Sequence, residues 1–120
     1  MSSCKFHSDQ EQKNCKWCRR WHKTYKYFKD RGCRKLYYYW ITLEHYRTGE
    51  AFQKIGLTSK SIEKRFERDL ERFRIIPQLV TEYPLYTAVT VENHILHQLH
   101  LTDRLYNPKA RISGWSECFI

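Results

Sequence analysis

The feature that most restricts the fold of this chain is a run of β-forming residues at 36–43. Within it, 37–41 holds three tyrosines, a tryptophan and an isoleucine. Aromatic and β-branched side chains favour extended backbone and pack well on a pleated sheet. Turn-forming residues follow at 45–50, and 51–55 again has a strand-like composition. The pattern predicts a β-hairpin, with Gly56 ending its second strand.

An amphipathic helix is predicted after the hairpin. Apolar residues recur at spacings of four, four and three at Ile62, Phe66, Leu70 and Phe73. Such spacing places them on one helical face, which predicts a helix over 61–73. Thr58, Ser59 and Ser61 are suitable N-caps for it.

The remainder of the chain is predicted to contain one further helix and a short final element. Residues 75–89 are expected to be extended and bent at two prolines. Thr90 is a suitable N-cap for a helix that runs to about Leu101, with Glu92 in its first turn. Residues 114–119 predict a final strand or docking segment. The fold class that follows is α+β, with a small three-stranded mixed or antiparallel sheet flanked by helices.

Excess positive charge is concentrated in the first third of the chain. Residues 1–35 contain eleven Lys or Arg and three acids, whereas 36–120 contain eleven and ten. The formal net charge of the whole chain is +9. A basic surface of this kind indicates a polyanionic partner, and nucleic acid is the partner we expect.

A helix is also predicted within this basic third. Its aromatic residues are spaced by four, four and three, at Trp17, Trp21, Tyr25 and Phe28. They form one helical face, which is expected to be buried, while the lysines and arginines lie largely away from it. Because the composition changes near 30–35, we predict two units, a basic module over 1–34 and a second domain over 35–120.

Cysteine and histidine spacing in the basic module indicates a metal site. Cys4 and His7 are separated by two residues, as are Cys15 and Cys18. Two such pairs can direct thiolate and imidazole donors at one tetrahedral ion, and this donor set suits Zn²⁺. His22, one helical turn after Cys18, is an alternative fourth ligand. We therefore predict a structural zinc site whose surroundings contact DNA.

The chain is expected to be cytoplasmic and to have no membrane partner. No apolar run approaches the roughly 20 residues that span a bilayer. The first residues lack the apolar segment of a secretory signal. The five cysteines are an odd number, which favours a metal site and free thiols over a disulfide framework.

Several motifs in 36–120 together resemble the GIY-YIG nuclease superfamily. The family's first strand carries a tyrosine, and its second ends in a Tyr-Ile-Gly-like turn. The chain is most similar to a phage-associated branch in which that turn reads Lys-Ile-Gly. The elements that carry the resemblance are Tyr39, Lys54-Ile55-Gly56, Arg65, Glu92 with Leu96-His97, and Glu117-Cys118-Phe119. For a phage-encoded protein, the expected compartment is the host cytoplasm.

The resemblance implies a role for each residue of a catalytic site. Tyr39 would help to activate the attacking water, with Tyr37 as the alternative tyrosine on the same side of the strand. Arg65 would stabilise charge on the scissile phosphate. Glu92 would hold one divalent cation, Mg²⁺ or Mn²⁺.

Three further residues are candidates of the same kind. Lys54 occupies the position of the family's second tyrosine, where an ammonium can neutralise phosphate or protonate the leaving oxygen. His97 is a candidate proton carrier or ligand. Asn107 is a candidate supporting residue, because the family often has an asparagine after the metal-binding glutamate.

The activity implied is metal-dependent hydrolysis of DNA phosphodiester bonds by an endonuclease. The sequence departs from the family at two positions, since the first triplet lacks its glycine and Lys54 replaces a tyrosine. An alternative is therefore a non-catalytic nucleic-acid-binding or regulatory protein with the same fold. A third reading is a protein-interaction module built on the zinc site.

Overall fold

The predicted hairpin forms the centre of a four-stranded sheet. Strand β1 spans Lys35–His45, β2 spans Ala51–Thr58, β3 spans Phe73–Pro84 and β4 spans Cys118–Phe119. The order is β3-β1-β2-β4, and every neighbouring pair is antiparallel. The computed structural model of the protein describes residues 15–106, 108–109 and 118–119. The α+β class is confirmed, but the prediction of three strands is wrong because β4 pairs with the outer edge of β2.

Strand β2 extends beyond its predicted end at Gly56. Gly56 lies within the strand, directly opposite Tyr39 of β1, and pairing continues to Thr58 opposite Tyr37. The hairpin turn itself contains Gly49 with φ +72°, a conformation that glycine adopts without steric strain. Pairing continues past Gly56 because the backbone of β1 is also extended at Tyr38 and Tyr37, which lie opposite Leu57 and Thr58.

Among the described residues, three helices flank the sheet, namely α1 (Lys16–Asp30), α2 (Ile62–Arg65) and α3 (Leu85–Leu101). The aromatic spacing thus predicted α1 correctly. Helix α1 ends at Asp30, and Gly32 just beyond it has φ +77° and donates its N–H to the Lys29 carbonyl at 3.0 Å. This is the left-handed glycine that commonly terminates a helix.

The helix predicted over 61–73 is much shorter in the structure. Ser61 caps α2 through a bond from Lys64 N–H, and the helix ends at Arg65. Turns then lead to Phe73, which pairs with His45 at the start of β3. The prediction fails because Leu70 is exposed and Phe73 is buried as a strand residue rather than on a helical face.

The predicted start of the last helix is also wrong, because residues 85–89 are helical and Thr90 is internal. Pro84 precedes the first turn of α3, so Glu92 lies in the middle of the helix rather than in its first turn. The Thr90 hydroxyl accepts a bond from Trp21 Nε1 at 3.0 Å and donates to the Tyr86 carbonyl at 2.8 Å. Thr90 therefore ties α1 to α3 instead of capping a helix.

The two faces of the sheet pack against different elements. On one face, here the α3 face, the side chains from β1 and β2 contact α1 and α3, with a core that includes Leu36, Tyr38, Ile55, Val89 and Leu96. On the other, here the α2 face, the core includes Tyr39, Ile41, Phe52, Phe66 and Phe73. In the described part of the chain, no helix combines the length and apolarity needed to cross a membrane.

Candidate functional site

Tyr39 and Lys54 lie together in the core of the α2 face. Lys54 pairs with Ile41, two residues after Tyr39, so both side chains project from the same face. Tyr39 is 1% exposed and Lys54 is 0% exposed. Lys54 Nζ lies 5.6 Å from the centroid of the Tyr39 ring, within cation–π range. This contact favours Tyr39 over Tyr37, which is only half-buried.

Arg65 is connected to this pair through Phe66. The Phe66 ring meets the Tyr39 ring edge-on, with centroids 5.5 Å apart. The Arg65 guanidinium carbon lies 5.0 Å from the centroid of the Phe66 ring. The structure therefore groups three of the predicted catalytic residues on one side of the sheet.

A basic surface surrounds Arg65. It borders an open cavity of about 500 Å³ and contains five cationic residues, Lys60, Lys64, Arg65, Arg68 and Arg72, which we call the arginine segment. Two acids also border the cavity. Asp69 accepts a bond from Arg72 at 3.0 Å, and Glu67 lies 3.3 Å from Lys64. The cations outnumber the acids, so the cavity favours an anion.

Glu92 lies on the α3 face, with the sheet between it and the Tyr39–Lys54 pair. Its side chain is buried, and its Oε1 accepts a bond from Arg20 Nη1 at 2.9 Å. The same Arg20 nitrogen donates to Asn93 Oδ1 at 2.9 Å. Asn93 Nδ2 in turn donates to the Trp17 carbonyl at 2.9 Å. The structure thus does not bring Glu92 to the other three predicted catalytic residues.

The surroundings of Glu92 test whether it suits a divalent cation. In this arrangement a guanidinium occupies the carboxylate, and the described residues contain no group of three or more His, Cys, Asp or Glu side chains placed to hold a metal. In this arrangement the Glu92 carboxylate is therefore engaged by Arg20. Binding of a cation by Glu92 requires Arg20 to withdraw, because two positive groups compete for one carboxylate.

Sequence reasoning missed the link between Arg20 and Glu92. The helical pattern predicts that the lysines and arginines of α1 lie largely away from its buried face, yet the Arg20 side chain is partly buried against α3. A signal was present, because Arg20 follows Trp17 by three residues and precedes Trp21, so it flanks the buried stripe. Its partner on α3, 72 residues away, cannot be read from local spacing.

Tyr38 is a second group that the sequence did not single out. Its side chain is buried on the α3 face of the sheet, and burial, together with the nearby charges of Glu92 and Tyr83, raises its pKa to about 12. A phenol with this pKa stays protonated at any physiological pH. Its position makes it a structural neighbour of the Arg20–Glu92 pair.

The shifted pKa of Tyr38 predicts a loss of stability at alkaline pH. In the unfolded chain the phenol loses its proton near pH 10, whereas in the folded protein it keeps it to about 12. Between these values the unfolded state binds fewer protons, so folded stability falls by up to about 1.4 kcal/mol per pH unit. Urea unfolding at pH 9 and 11 should show a smaller fall for Tyr38→Phe than for wild type. Tyr46→Phe, at an exposed position, is the matched control, and an equal fall in all three proteins would contradict the prediction.

The candidate His97 and its neighbour His100 both contact Trp17. The His97 ring stacks on Trp17 with centroids 5.0 Å apart, and burial followed by the charges of His100 and His94 lowers the pKa of His97. His100 lies 5.7 Å from the same ring. His97 is therefore on the α3 face, away from Tyr39 and Lys54.

Several predicted residues lie outside the described part of the chain. They are the zinc-ligand candidates Cys4 and His7 and the candidates Asn107 and Glu117. Of the other two zinc-ligand candidates, Cys15 is the N-cap of α1 and Cys18 is wholly buried in its first turn. His22 is exposed and contacts the edge of Trp21.

Comparison of the chain with protein-family models, with curated proteins and with solved structures finds no match in any of the three. The similarity to the GIY-YIG nucleases therefore stays a prediction from the motifs.

Proposed function

We propose that the protein is an endonuclease that hydrolyses phosphodiester bonds of DNA on the α2 face. The observation that supports this most directly is the wholly buried Lys54, with its ammonium 5.6 Å from the Tyr39 ring. A buried cation beside a phenol fits a role in phosphate chemistry, and ring contacts through Phe66 link this pair to Arg65.

The chemistry of hydrolysis assigns a task to each group on this face. Negative charge grows on the phosphate oxygens in the transition state, and preorganised cations stabilise it. Arg65 can donate two parallel hydrogen bonds to phosphate, whereas the Lys54 ammonium acts as a compact charge. The Tyr39 phenol is proposed to orient and activate water. Because Tyr39 and Lys54 are buried, part of their cover must move when the phosphate binds.

The surface around these groups supplies binding to DNA. Cationic residues of the arginine segment would contact successive phosphates, which gives affinity with little sequence preference. The basic module over 1–34 is proposed to add contacts through a zinc site formed by Cys4, His7, Cys15 and Cys18. A site of this kind would fold together with its metal.

A divalent cation, Mg²⁺ or Mn²⁺, remains part of the proposal through Glu92. Because Glu92 lies across the sheet from Lys54, a cation held there would supply positive charge to a substrate phosphate only after a change in the packing of α3. Glu92 would accept it in exchange for Arg20, which holds the carboxylate in the structure.

Incubation with supercoiled plasmid, linear duplex, single-stranded DNA and RNA, with Mg²⁺ or with EDTA, tests this function. We expect conversion of plasmid to relaxed or linear forms in Mg²⁺ and none in EDTA. Intact nucleic acid in every lane would contradict the proposal.

Arg68→Ala is expected to weaken DNA binding about threefold to tenfold. The slope of the logarithm of the binding constant against the logarithm of salt concentration should become shallower by about one. Arg68 borders the cavity of the arginine segment, so its loss removes one phosphate contact. Fluorescence anisotropy from 50 to 200 mM salt in EDTA measures both quantities. Arg47→Ala, in the exposed hairpin turn, is the control. Equal affinity for Arg68→Ala and wild type would show that the arginine segment does not contact DNA.

A second candidate function, DNA binding without hydrolysis, is favoured by the position of Glu92. The buried Arg20–Glu92 pair gives that carboxylate a structural task in joining α1 to α3. This alternative predicts salt-sensitive DNA binding, no cutting, and no effect of Glu92→Gln on affinity.

A further inference from the structure

A second cavity, of about 370 Å³, opens between the last turns of α1 and the region around α2. Its walls differ in chemistry. Helix α1 contributes Tyr27 and Phe28, and the facing wall contributes Thr58, Lys60 and Arg65. The volume falls within the roughly 300–1,000 Å³ of small-molecule sites.

The aromatic wall is fixed in place and partly open to solvent. Tyr27 is 50% exposed. The Arg31 guanidinium lies 3.5 Å from the Tyr27 ring centroid, and Arg31 Nη1 also donates to the Tyr27 carbonyl at 2.9 Å. The Phe28 ring meets Tyr27 edge-on at 5.0 Å. Arg31 on one side of the Tyr27 ring and the edge contact with Phe28 hold this ring in place. Its other side can then stack on another flat group.

The opposite wall is cationic and hydroxylated. It includes Lys60, Lys64 and Arg65, which also border the larger cavity of the arginine segment. The Thr58 hydroxyl accepts the Lys60 N–H at 3.0 Å, which fixes the chain at the mouth of the cavity. A phosphate bound between Lys64 and Arg65 would therefore face both cavities.

We propose that this second cavity binds one unpaired nucleotide, with its base on Tyr27 and its phosphate at Lys60, Lys64 and Arg65. An aromatic surface across from cations matches the flat base and the anionic phosphate of a nucleotide. A base within a duplex is already stacked on both faces and reaches such a surface only after it leaves the stack. The site therefore selects single-stranded or locally unpaired nucleic acid. This inference rests on the proposed nucleic-acid binding and not on hydrolysis.

Binding of labelled single-stranded DNA and of the matching duplex to full-length protein, in EDTA, tests the proposal. Tyr27→Ala is expected to weaken single-strand binding about tenfold, the scale of one base stacked on an aromatic ring, and duplex binding less than twofold. Tyr27→Phe keeps the ring and should bind like wild type. Tyr46→Ala, at another exposed tyrosine in the hairpin turn, should have no effect.

The outcomes separate this site from the hydrolytic function. Equal binding by Tyr27→Ala and wild type, or an equal loss on duplex and single strand, would overturn the proposal. If thymidine monophosphate displaces the strand, the cavity binds a free nucleotide as well. If it does not, the cavity binds nucleotides only within a strand. If Tyr27→Ala weakens only single-strand binding and the wild-type protein cuts no nucleic acid, the result supports this site and contradicts the proposed hydrolysis.

Discussion

Lys54→Met is expected to lower the rate of DNA cleavage about 100-fold to 1,000-fold, the scale on which loss of one preorganised group affects an enzyme. Methionine has a similar length and fits a buried position, so the change removes the ammonium and keeps much of the side-chain volume. The groups that contact the ammonium in wild type lose a partner, so some stability is expected to be lost together with the activity. The folded state of the variant is therefore measured in parallel with its rate.

The control for this experiment is Lys35→Met on the same sheet. Lys35 is exposed, and its Nζ lies 3.5 Å from Glu82. Exposed pairs of this kind contribute little to stability, so this variant should cut at the wild-type rate. Single-turnover rates with protein in excess, together with near-ultraviolet circular dichroism, separate lost chemistry from lost folding. An unchanged cleavage rate for Lys54→Met would show that Lys54 takes no part in the reaction.

Arg20→Met is expected to give the largest change in stability and to reveal whether Glu92 accepts a cation. Loss of one partner from a buried ion pair typically costs 3–5 kcal/mol, because the remaining charge is left in the core. If Glu92 then binds Mn²⁺ or Mg²⁺, addition of the metal restores part of that loss, since ligands that bind only the folded state stabilise it. Thermal unfolding of wild type and variant with and without metal measures this response.

Glu92→Gln completes the comparison. An amide oxygen still accepts the Arg20 bond but is a poor ligand for a hard cation. We expect this variant to stay folded and to lose metal-dependent cutting, while its DNA affinity in EDTA is unchanged. Cutting at the wild-type rate by Glu92→Gln, or an equal metal response in Arg20→Met and wild type, would exclude Glu92 as the metal ligand.

The elements that could be predicted from the sequence are those specified by local pattern. The aromatic run predicted β1 and the hairpin because its side chains favour extended backbone. The stripe from Trp17 to Phe28 predicted α1 for the same local reason. Strand β4 has only two residues, and its existence depends on an edge of β2 that is distant in sequence. The local pattern at 114–119 predicts a final strand or docking segment, but it carries no information on which strand it pairs with.

The limits on predicting the site have a similar origin. Arg65 is linked to the Tyr39–Lys54 pair through Phe66, and the short chain between β2 and α2 keeps it on that side. The face that α3 covers was not predictable, because a helix that follows an antiparallel strand can pack on either side of the sheet. Its position separates Glu92 from Lys54 by the sheet. The pairing of Arg20 with Glu92 depends on that same long-range choice.

Cleavage in ¹⁸O-labelled water, with wild type and Lys54→Met prepared in parallel, tests the proposed hydrolysis most directly. Hydrolysis by water at phosphorus places one ¹⁸O atom on the phosphate that remains at one of the two new ends of each cut, which mass spectrometry of the fragments detects. We expect labelled fragments from wild type and at least 100-fold fewer from the variant. No fragments from either protein, or equal amounts from both, would contradict a phosphodiester-cleaving site at Lys54.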